Sequence, residues 1–138
     1  PISGETAVLR YAVTDDFGVI MNEKLVEGQV HGGIAQGLGQ ALCEQVVFDE
    51  NGQLLTATFM DYAMPRATDM PPVVFTTECV PSLMNPIGMK GCGEAGTVGS
   101  IAAVSNAVLD ALWSHGVRHI DMPLTPHRVW QYLQAAKA

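Results

Sequence analysis

Two glycine-rich segments carry the residues whose types and spacing could do chemistry. Residues 28–39 have the sequence GQVHGGIAQGLG, and residues 90–99 have the sequence KGCGEAGTVG. Each glycine inside a helix costs about 0.8–1 kcal/mol relative to alanine, so this density indicates that something approaches the backbone closely. Two compatible interpretations remain open for the first segment. A neighbouring helix could pack along Gly33, Gly37 and Ala41, or backbone amides could contact an anionic cofactor.

Gln29 and Glu94 are the polar candidates within these segments. The Gln29 amide can both donate and accept hydrogen bonds at the mouth of a cofactor site. Glu94 could be a general base whose pKa burial raises toward the working pH. It could also be a carboxylate that only complements the helix dipole, worth about 0.3–1 kcal/mol. Without further information, the helix-dipole interpretation of Glu94 is favoured over the general base. The surrounding glycines make the two interpretations more nearly equal, because a carboxylate that only complements the dipole does not need them.

The second segment also matches the dinucleotide-binding fingerprint, as Gly91-x-Gly93-x-x-Gly96. That fingerprint requires a buried strand before the turn and an acidic residue at the end of the next strand. Residues 86–90 do not have the composition of such a strand, and Glu94 within the turn would repel a pyrophosphate. We therefore expect no nicotinamide dinucleotide binding, and we interpret the glycines as freeing the backbone to present Glu94.

No metal site is predicted from the histidines and cysteines. His115 and His119 are four residues apart, as zinc ligands on a helix would be, but Gly116 lies between them and no nearby Cys or carboxylate completes the set. We interpret them as surface histidines. The three cysteines form no CxxC pair and are odd in number, which favours a reducing compartment and hence the cytoplasm.

Size, composition and charge restrict the class of protein. The chain has 138 residues, 48% of them hydrophobic and 15% charged, which predicts one packed domain over residues 1–138. The net charge of −7 argues against a nucleic-acid partner. No uninterrupted apolar run reaches the roughly 18–20 residues that span a bilayer, so no membrane partner is expected. Because the chain begins at Pro1, we expect a processed protein or a piece of a longer one.

The order of patterns along the chain predicts an α+β fold. Residues 7–13 and 19–21 are expected to pair as a hairpin, residues 46–48 and 54–55 as a second hairpin around Asn51-Gly52, and residues 73–80 as a further strand. Helical spacing predicts long helices over residues 30–46 and 98–112, and a short last helix starts at Thr125-Pro126. We therefore predict a mostly antiparallel sheet of hairpins with two long helices packed on one face and a short C-terminal helix.

Three motifs, in this order and spacing, resemble the C-terminal part of the molybdopterin-binding large subunit of the molybdenum hydroxylase family. They are GQVxGGxxQGxG at residues 28–39, KGxGE at residues 90–94 and DMPLTPxRVW at residues 121–130. The family includes xanthine dehydrogenase, aldehyde oxidase and aerobic carbon monoxide dehydrogenase. The resemblance covers nearly the whole chain, and the three motifs together are far more specific than any one alone.

The resemblance implies a cofactor and site residues. The cofactor would be molybdopterin with molybdenum, in its cytosine dinucleotide form or a close relative. Glu94 matches the family's catalytic glutamate, the general base toward the hydroxyl group that attacks the substrate. The cofactor-binding positions implied are Gln29, Gly32, Gly33, Gln36, Gly91 and Gly93, with no metal ligand from this chain. Cys92 stands where relatives usually carry an aliphatic residue, which would alter packing rather than chemistry.

The resemblance also implies that this chain alone is not a complete active site. Large subunits of the family have several hundred residues, so the partners expected are the remainder of the large subunit and iron–sulfur and FAD components. The leading hypothesis is therefore part of a molybdenum-dependent hydroxylase or dehydrogenase, inactive in isolation. The alternative is a binding or assembly module without catalysis. Either hypothesis allows a homo-oligomer in isolation, because a lost partner leaves apolar surface exposed.

Overall fold

The computed structural model describes residues 3–137. Within that range the chain forms two strands and three α-helices, with a single 3-10 turn at Ala67–Asp69. In chain order they are β1 (Tyr11–Asp15), α1 (Glu23–Leu42), β2 (Val73–Thr77), α2 (Ala95–Trp113) and α3 (Pro126–Ala135).

The predicted antiparallel sheet of hairpins is wrong. β1 and β2 pair in parallel, with Tyr11 opposite Val73 and Asp15 opposite Thr77, and they are the two strands of the sheet in the described residues. Parallel strands need a long crossover rather than a tight turn. Here α1 and the segment after it provide that crossover. Alternating apolar residues predicted the two strands but not their partners, because the alternation does not distinguish a parallel from an antiparallel neighbour.

The first predicted hairpin fails although its turn forms. Gly18 adopts a φ of 61° and its N–H donates to Asp16 Oδ1 over 2.9 Å, so the chain does reverse here. The chain that follows does not pair with β1, whose neighbour is β2. Instead the Val19 N–H donates to the Gly88 carbonyl over 3.0 Å, and Gly18 forms an isolated bridge with Met89.

The second predicted hairpin is reduced to one bridge. Phe48 and Leu54 form an isolated antiparallel bridge, and the Leu55 N–H donates to the Val47 carbonyl over 2.8 Å. Asp49 Oδ1 accepts from two backbone N–H groups inside the turn. The turn around Gly52 is therefore present, whereas the strands predicted to flank it do not extend.

α1 begins seven residues earlier and ends four residues earlier than predicted. Its N-cap is Asn22, whose Oδ1 accepts a hydrogen bond from the Leu25 N–H over 3.1 Å. This cap satisfies one of the free N–H groups of the first turn. At the other end, the Ala41 carbonyl accepts from the Leu124 N–H over 2.7 Å. α1 therefore ends where a residue far along the chain hydrogen-bonds one of its last carbonyl groups. Local spacing could not reveal a partner so distant in sequence.

The main core lies between the sheet and the α1–α2 pair. Its buried residues are Phe17, Val30, Ile34, Leu38, Ala41 and Val104. Tyr11, Val13, Val73 and Phe75 pack against it from one face of the sheet. By length and composition alone α2 could also cross a membrane, with a mean hydropathy of 1.3. The core helices of soluble proteins meet the same criterion, and α2 contributes Val104 to the main core and Val108 and Leu112 to a second one.

A second core holds α3 against the end of α2. Its buried residues are Val108, Leu112, Val117, Leu124, Val129 and Leu133. α3 begins as predicted, with Thr125 as N-cap and Pro126 at its first position. Gly116, with a φ of 92°, follows the end of α2.

Candidate functional site

The two glycine-rich segments meet where α1 crosses α2. A Cβ on Gly33 would lie 2.9 Å from the Gly96 Cα, and a Cβ on Gly96 would lie 2.3 Å from the Val30 carbonyl oxygen. A Cβ on Gly37 would lie 1.9 Å from Ser100 Oγ, and Ser100 is fully buried. Real Cβ atoms do not approach other atoms so closely, so these glycines allow the two helices to touch. The close-packing interpretation therefore accounts for Gly33, Gly37 and Gly96.

A second group of glycines has no such explanation within the chain. Around Gly28, Gly32, Gly91 and Gly93, an added Cβ would meet nothing within 4 Å. Their φ angles also lie outside the left-handed region that favours glycine. Neither packing nor backbone conformation in the described residues requires glycine at these four positions. Any requirement for a bare backbone there must come from something other than the described residues 3–137.

Gln29, Gly32 and Gln36 lie at helical spacing on one exposed side of α1, next to the stripe that packs on α2. Gln29 Nε2 donates to the Gly93 carbonyl over 2.9 Å. Thr97 Oγ1 donates to Gln36 Oε1 over 3.1 Å. These two bonds connect the exposed side of α1 to the start of α2. The structure thus joins the exposed side of α1 that carries Gln29, Gly32 and Gln36 to the segment just before and at the start of α2. Gly91, Gly93 and Glu94 are exposed in that segment, and Gly33 lies in the helix contact.

Glu94 occupies the N-cap position of α2. Its φ of −117° and ψ of −2° are not those of a capping residue in extended conformation, and its side chain accepts no capping hydrogen bond. The side chain is exposed. The buried general base expected from the sequence is therefore not buried by this chain. Glu94 directly follows Gly93, whose carbonyl accepts the Gln29 hydrogen bond, and it lies at the positive end of the α2 dipole.

Sequence reasoning missed the residues that hold the loop before Glu94. Asp16, interpreted only as a turn former, forms an ion pair with Lys90 and accepts the backbone N–H groups of Gly18 and Val80. The Lys90 hydrogen bond, followed by the two backbone N–H groups, lowers the pKa of Asp16 to about 2. The Lys90 N–H also donates to the Phe17 carbonyl over 2.9 Å. Thr97 was missed too, although it lies within the second glycine-rich segment, residues 90–99.

The main cavities of the chain lie elsewhere. Two cavities of about 610 and 520 Å³ share the lining residues 6–9, and neither is lined by Gln29 or Glu94. In residues 3–137 no group of three His, Cys, Asp or Glu side chains is arranged to hold a metal ion. His119 is exposed and its Nε2 lies 3.2 Å from Asp121 Oδ1. The three cysteines are free thiols.

Comparison with known proteins identifies the family. Residues 1–71 match the model of the molybdopterin cofactor-binding domain, which is half of the chain. The chain belongs to this family. The predicted membership in the molybdopterin-binding large subunits of molybdenum hydroxylases is confirmed.

Relatives of the family align along almost the whole chain. This chain is 43% identical to the carbon monoxide dehydrogenase large chain of Hydrogenophaga pseudoflava, over 96% of this chain and 16% of that protein. It is 41% identical to the nicotine 6-hydroxylase large subunit of Paenarthrobacter nicotinovorans, over 94% of this chain and 16% of that protein. Quinoline 2-oxidoreductase from Pseudomonas putida 86 superposes with a TM-score of 0.93 at 40% identity, covering 97% of this chain and 17% of that one.

These relatives establish the general class. This chain is similar to molybdenum oxidoreductases, as the sequence predicted. The chain spans about a sixth of the length of the relatives that it matches. The relatives are large or molybdenum-binding subunits, which is consistent with partner subunits.

The exposed surface fits a molybdopterin cofactor. Four glycines with open space above them allow a ligand to reach the backbone. The Gln29 amide, held by Gly93, keeps a carbonyl oxygen for which the described residues provide no partner. The start of α2 adds N–H groups that have no partner within the helix. Bare backbone and amide groups can donate and accept hydrogen bonds at the polar edges of a pterin, whereas the Glu94 carboxylate at the start of α2 disfavours a phosphate group there.

Proposed function

We propose that this chain supplies one wall of the molybdopterin site and the general base of a molybdenum-dependent hydroxylase or dehydrogenase. The observation that carries the proposal is the group of glycines whose open space nothing in the chain explains, beside Gln29 and Glu94. The chain would be the C-terminal portion of the large subunit, as its three motifs suggest. The cofactor in its cytosine dinucleotide form, and iron–sulfur and flavin partner components, belong to the same proposal.

Gln29, Gly32, Gln36, Gly91 and Gly93 would contact the cofactor directly, and Gly33 would act by letting α1 lie close to α2. Gln29 is oriented by its hydrogen bond to the Gly93 carbonyl, so its free amide groups are aimed before any ligand arrives. When bound, the molybdenum cofactor supplies the acceptor for the electrons removed from the substrate. Preorganised donors of this kind lower the cost of binding and orientation.

Glu94 would accept the proton released as the substrate is hydroxylated. A carboxylate is a weak base in water, with an ordinary pKa of about 4.3. In this chain it is exposed, so the desolvation that would tune it must come from the cofactor and from the remainder of the subunit. The bound cofactor would supply metal-ion chemistry beside Glu94, and Glu94 would provide the carboxylate that takes up the proton.

The test is the Glu94→Gln variant in the complete enzyme. The amide keeps the size of the side chain but cannot take up a proton, so turnover should fall by at least the 100-fold typical of a lost general base. Molybdenum and pterin content should stay unchanged. Glu50→Gln, an exposed glutamate in the 49–53 turn, is the matched control. Near-normal turnover of Glu94→Gln would remove the assignment of the base.

A second function, a module without catalysis when the chain is alone, is favoured by the exposure of Glu94. If the purified chain contains neither molybdenum nor pterin and gains activity only when the remainder of the subunit is supplied, the isolated chain is a module.

The free thiols agree with a reducing, cytoplasmic location.

A further inference from the structure

Asp16 and Lys90 join the sheet to the loop that presents Glu94. Asp16 directly follows β1, and Val80 lies three residues after β2, so both belong to the same edge of the parallel sheet. Asp16 Oδ1 accepts from the Val80 N–H over 3.0 Å and from the Gly18 N–H over 2.9 Å. Its other oxygen, Oδ2, accepts from Lys90 Nζ. One carboxylate therefore connects both strand ends to the start of the glycine-rich loop.

The loop beyond Lys90 has few other supports. Around Gly91 and Gly93 an added Cβ would find nothing within 4 Å, so packing does not hold either residue. Between them, Cys92 packs against the main core. The Gly93 carbonyl accepts the Gln29 hydrogen bond. The backbone that leads to Glu94 is thus held at Lys90, Cys92 and Gly93, and Lys90 is the attachment that reaches the sheet.

Lys90 is attached twice. Its side chain pairs with Asp16, and its backbone N–H donates to the carbonyl of Phe17, which is itself buried in the main core. The Gly18–Met89 bridge continues this contact on the other side. A Cβ at Gly18 would lie 2.1 Å from the Gly88 carbonyl oxygen, so the two segments touch along their backbones. The segment around Asp16 is therefore a fixed support for residues 88–90.

We propose that the Asp16–Lys90 pair is a positioning device that sets the direction of Glu94 through the glycine-rich loop. This inference rests on the proposed role of Glu94 as general base. Glycines on both sides of Cys92 leave the loop backbone free to rotate, so fixing its first residue narrows where the carboxylate can point. A displacement of about 1 Å at a reacting group can cost about 100-fold in rate.

The experiment measures kcat, KM and molybdenum content of the complete enzyme for four single variants and for the Asp16→Asn/Lys90→Met double variant. Asp16→Asn keeps an oxygen for the Gly18 and Val80 N–H groups and removes the charge that holds Lys90. Lys90→Met keeps the aliphatic stem without the ammonium group, and Lys90→Arg keeps the charge. Asp121→Asn is the matched control, because it removes a carboxylate from the exposed pair with His119.

Asp16→Asn and Lys90→Met should each lower kcat by about 10- to 100-fold at unchanged KM and molybdenum content, as expected when geometry rather than binding is lost. The double variant should be no worse than either single one, since both remove the same pair. The Lys90→Arg variant should retain most of the wild-type kcat, and the Asp121→Asn variant should have the same kcat as the wild type. Additive losses, or losses that follow cofactor content, would instead indicate general destabilisation and overturn the proposal.

The Glu94→Gln background separates this proposal from the proposed function. If the pair acts through Glu94, adding Asp16→Asn to Glu94→Gln leaves the residual turnover unchanged. If Glu94→Gln abolishes turnover while Asp16→Asn and Lys90→Met keep normal kcat, the positioning role is wrong and the base assignment stands. If Glu94→Gln itself turns over normally, the base assignment fails and the positioning role fails with it.

Discussion

Glu94, the proposed general base, has a defined backbone position but an exposed side chain. The start of α2 and the Gln29–Gly93 hydrogen bond define where its backbone lies. Its side chain nevertheless stands in solvent. A desolvated base therefore depends on surfaces that the remaining five-sixths of a large subunit would bring.

A substitution at Gly32 should have opposite effects on the stability of α1 and on cofactor binding. It lies inside α1 with open space above it, so Gly32→Ala should stabilise the folded chain by about 0.5–1 kcal/mol. The new methyl group would project into the proposed cofactor surface. We expect a higher melting temperature of the chain together with lower molybdenum and pterin content of the complete enzyme.

Lys24→Ala, at an exposed position about two turns closer to the start of α1, is the control for this substitution and should leave cofactor content unchanged. Calorimetry of the chain and metal analysis of the enzyme measure the two effects separately. Full cofactor loading of Gly32→Ala would mean that the open space at Gly32 is not a cofactor contact.

At the scale of elements, the contact between α1 and α2 is what brings the two motifs together. Gly96 sits against the Val30 carbonyl, whereas Gly99, one turn later on the same helix, meets only the Tyr11 hydroxyl at 3.9 Å. Both glycines therefore lie near the start of α2 but differ in packing. A pairwise comparison of alanine variants distinguishes glycine needed for packing from glycine that is merely present.

Gly96→Ala should destabilise the chain by about 1–3 kcal/mol, because its Cβ would overlap backbone that cannot move without separating the helices. Gly99→Ala should stabilise it by about 0.5–1 kcal/mol through lower backbone entropy of the unfolded state. Denaturant unfolding followed by circular dichroism gives both values. Equal effects at the two positions would contradict the close helix contact.

At the scale of the whole molecule, several large apolar side chains of the described residues are strongly exposed to solvent. Leu83 and Met84 are 98% and 93% exposed, and Leu9, Phe59 and Met60 are also largely open to solvent. Large contiguous apolar patches on a protein surface generally mark contacts with other chains or domains. For a chain that spans a sixth of its relatives, the remainder of the subunit is the expected cover.

The isolated chain should consequently self-associate. Size-exclusion chromatography with light scattering should find species larger than the 14.7 kDa monomer, with mass that increases with concentration. Replacing Leu83 and Met84 by serine should shift the chain toward the monomer, whereas serine at the polar positions Glu50 and Gln53 should not. A monomer at all concentrations would show that these side chains do not drive association.

The amino-acid sequence determined the family, the three helices, the turns at Gly18 and Gly52 and the residues nominated for the site. These features depend on local spacing, caps and motifs, which lie within a few residues of each other. Only the tertiary structure decided that β1 and β2 are parallel neighbours and that Asp16 joins Lys90. It also decided which glycines serve the helix contact and which face open space. Each of these depends on residues about 60 or more positions apart along the chain, and local patterns carry no information about partners so distant.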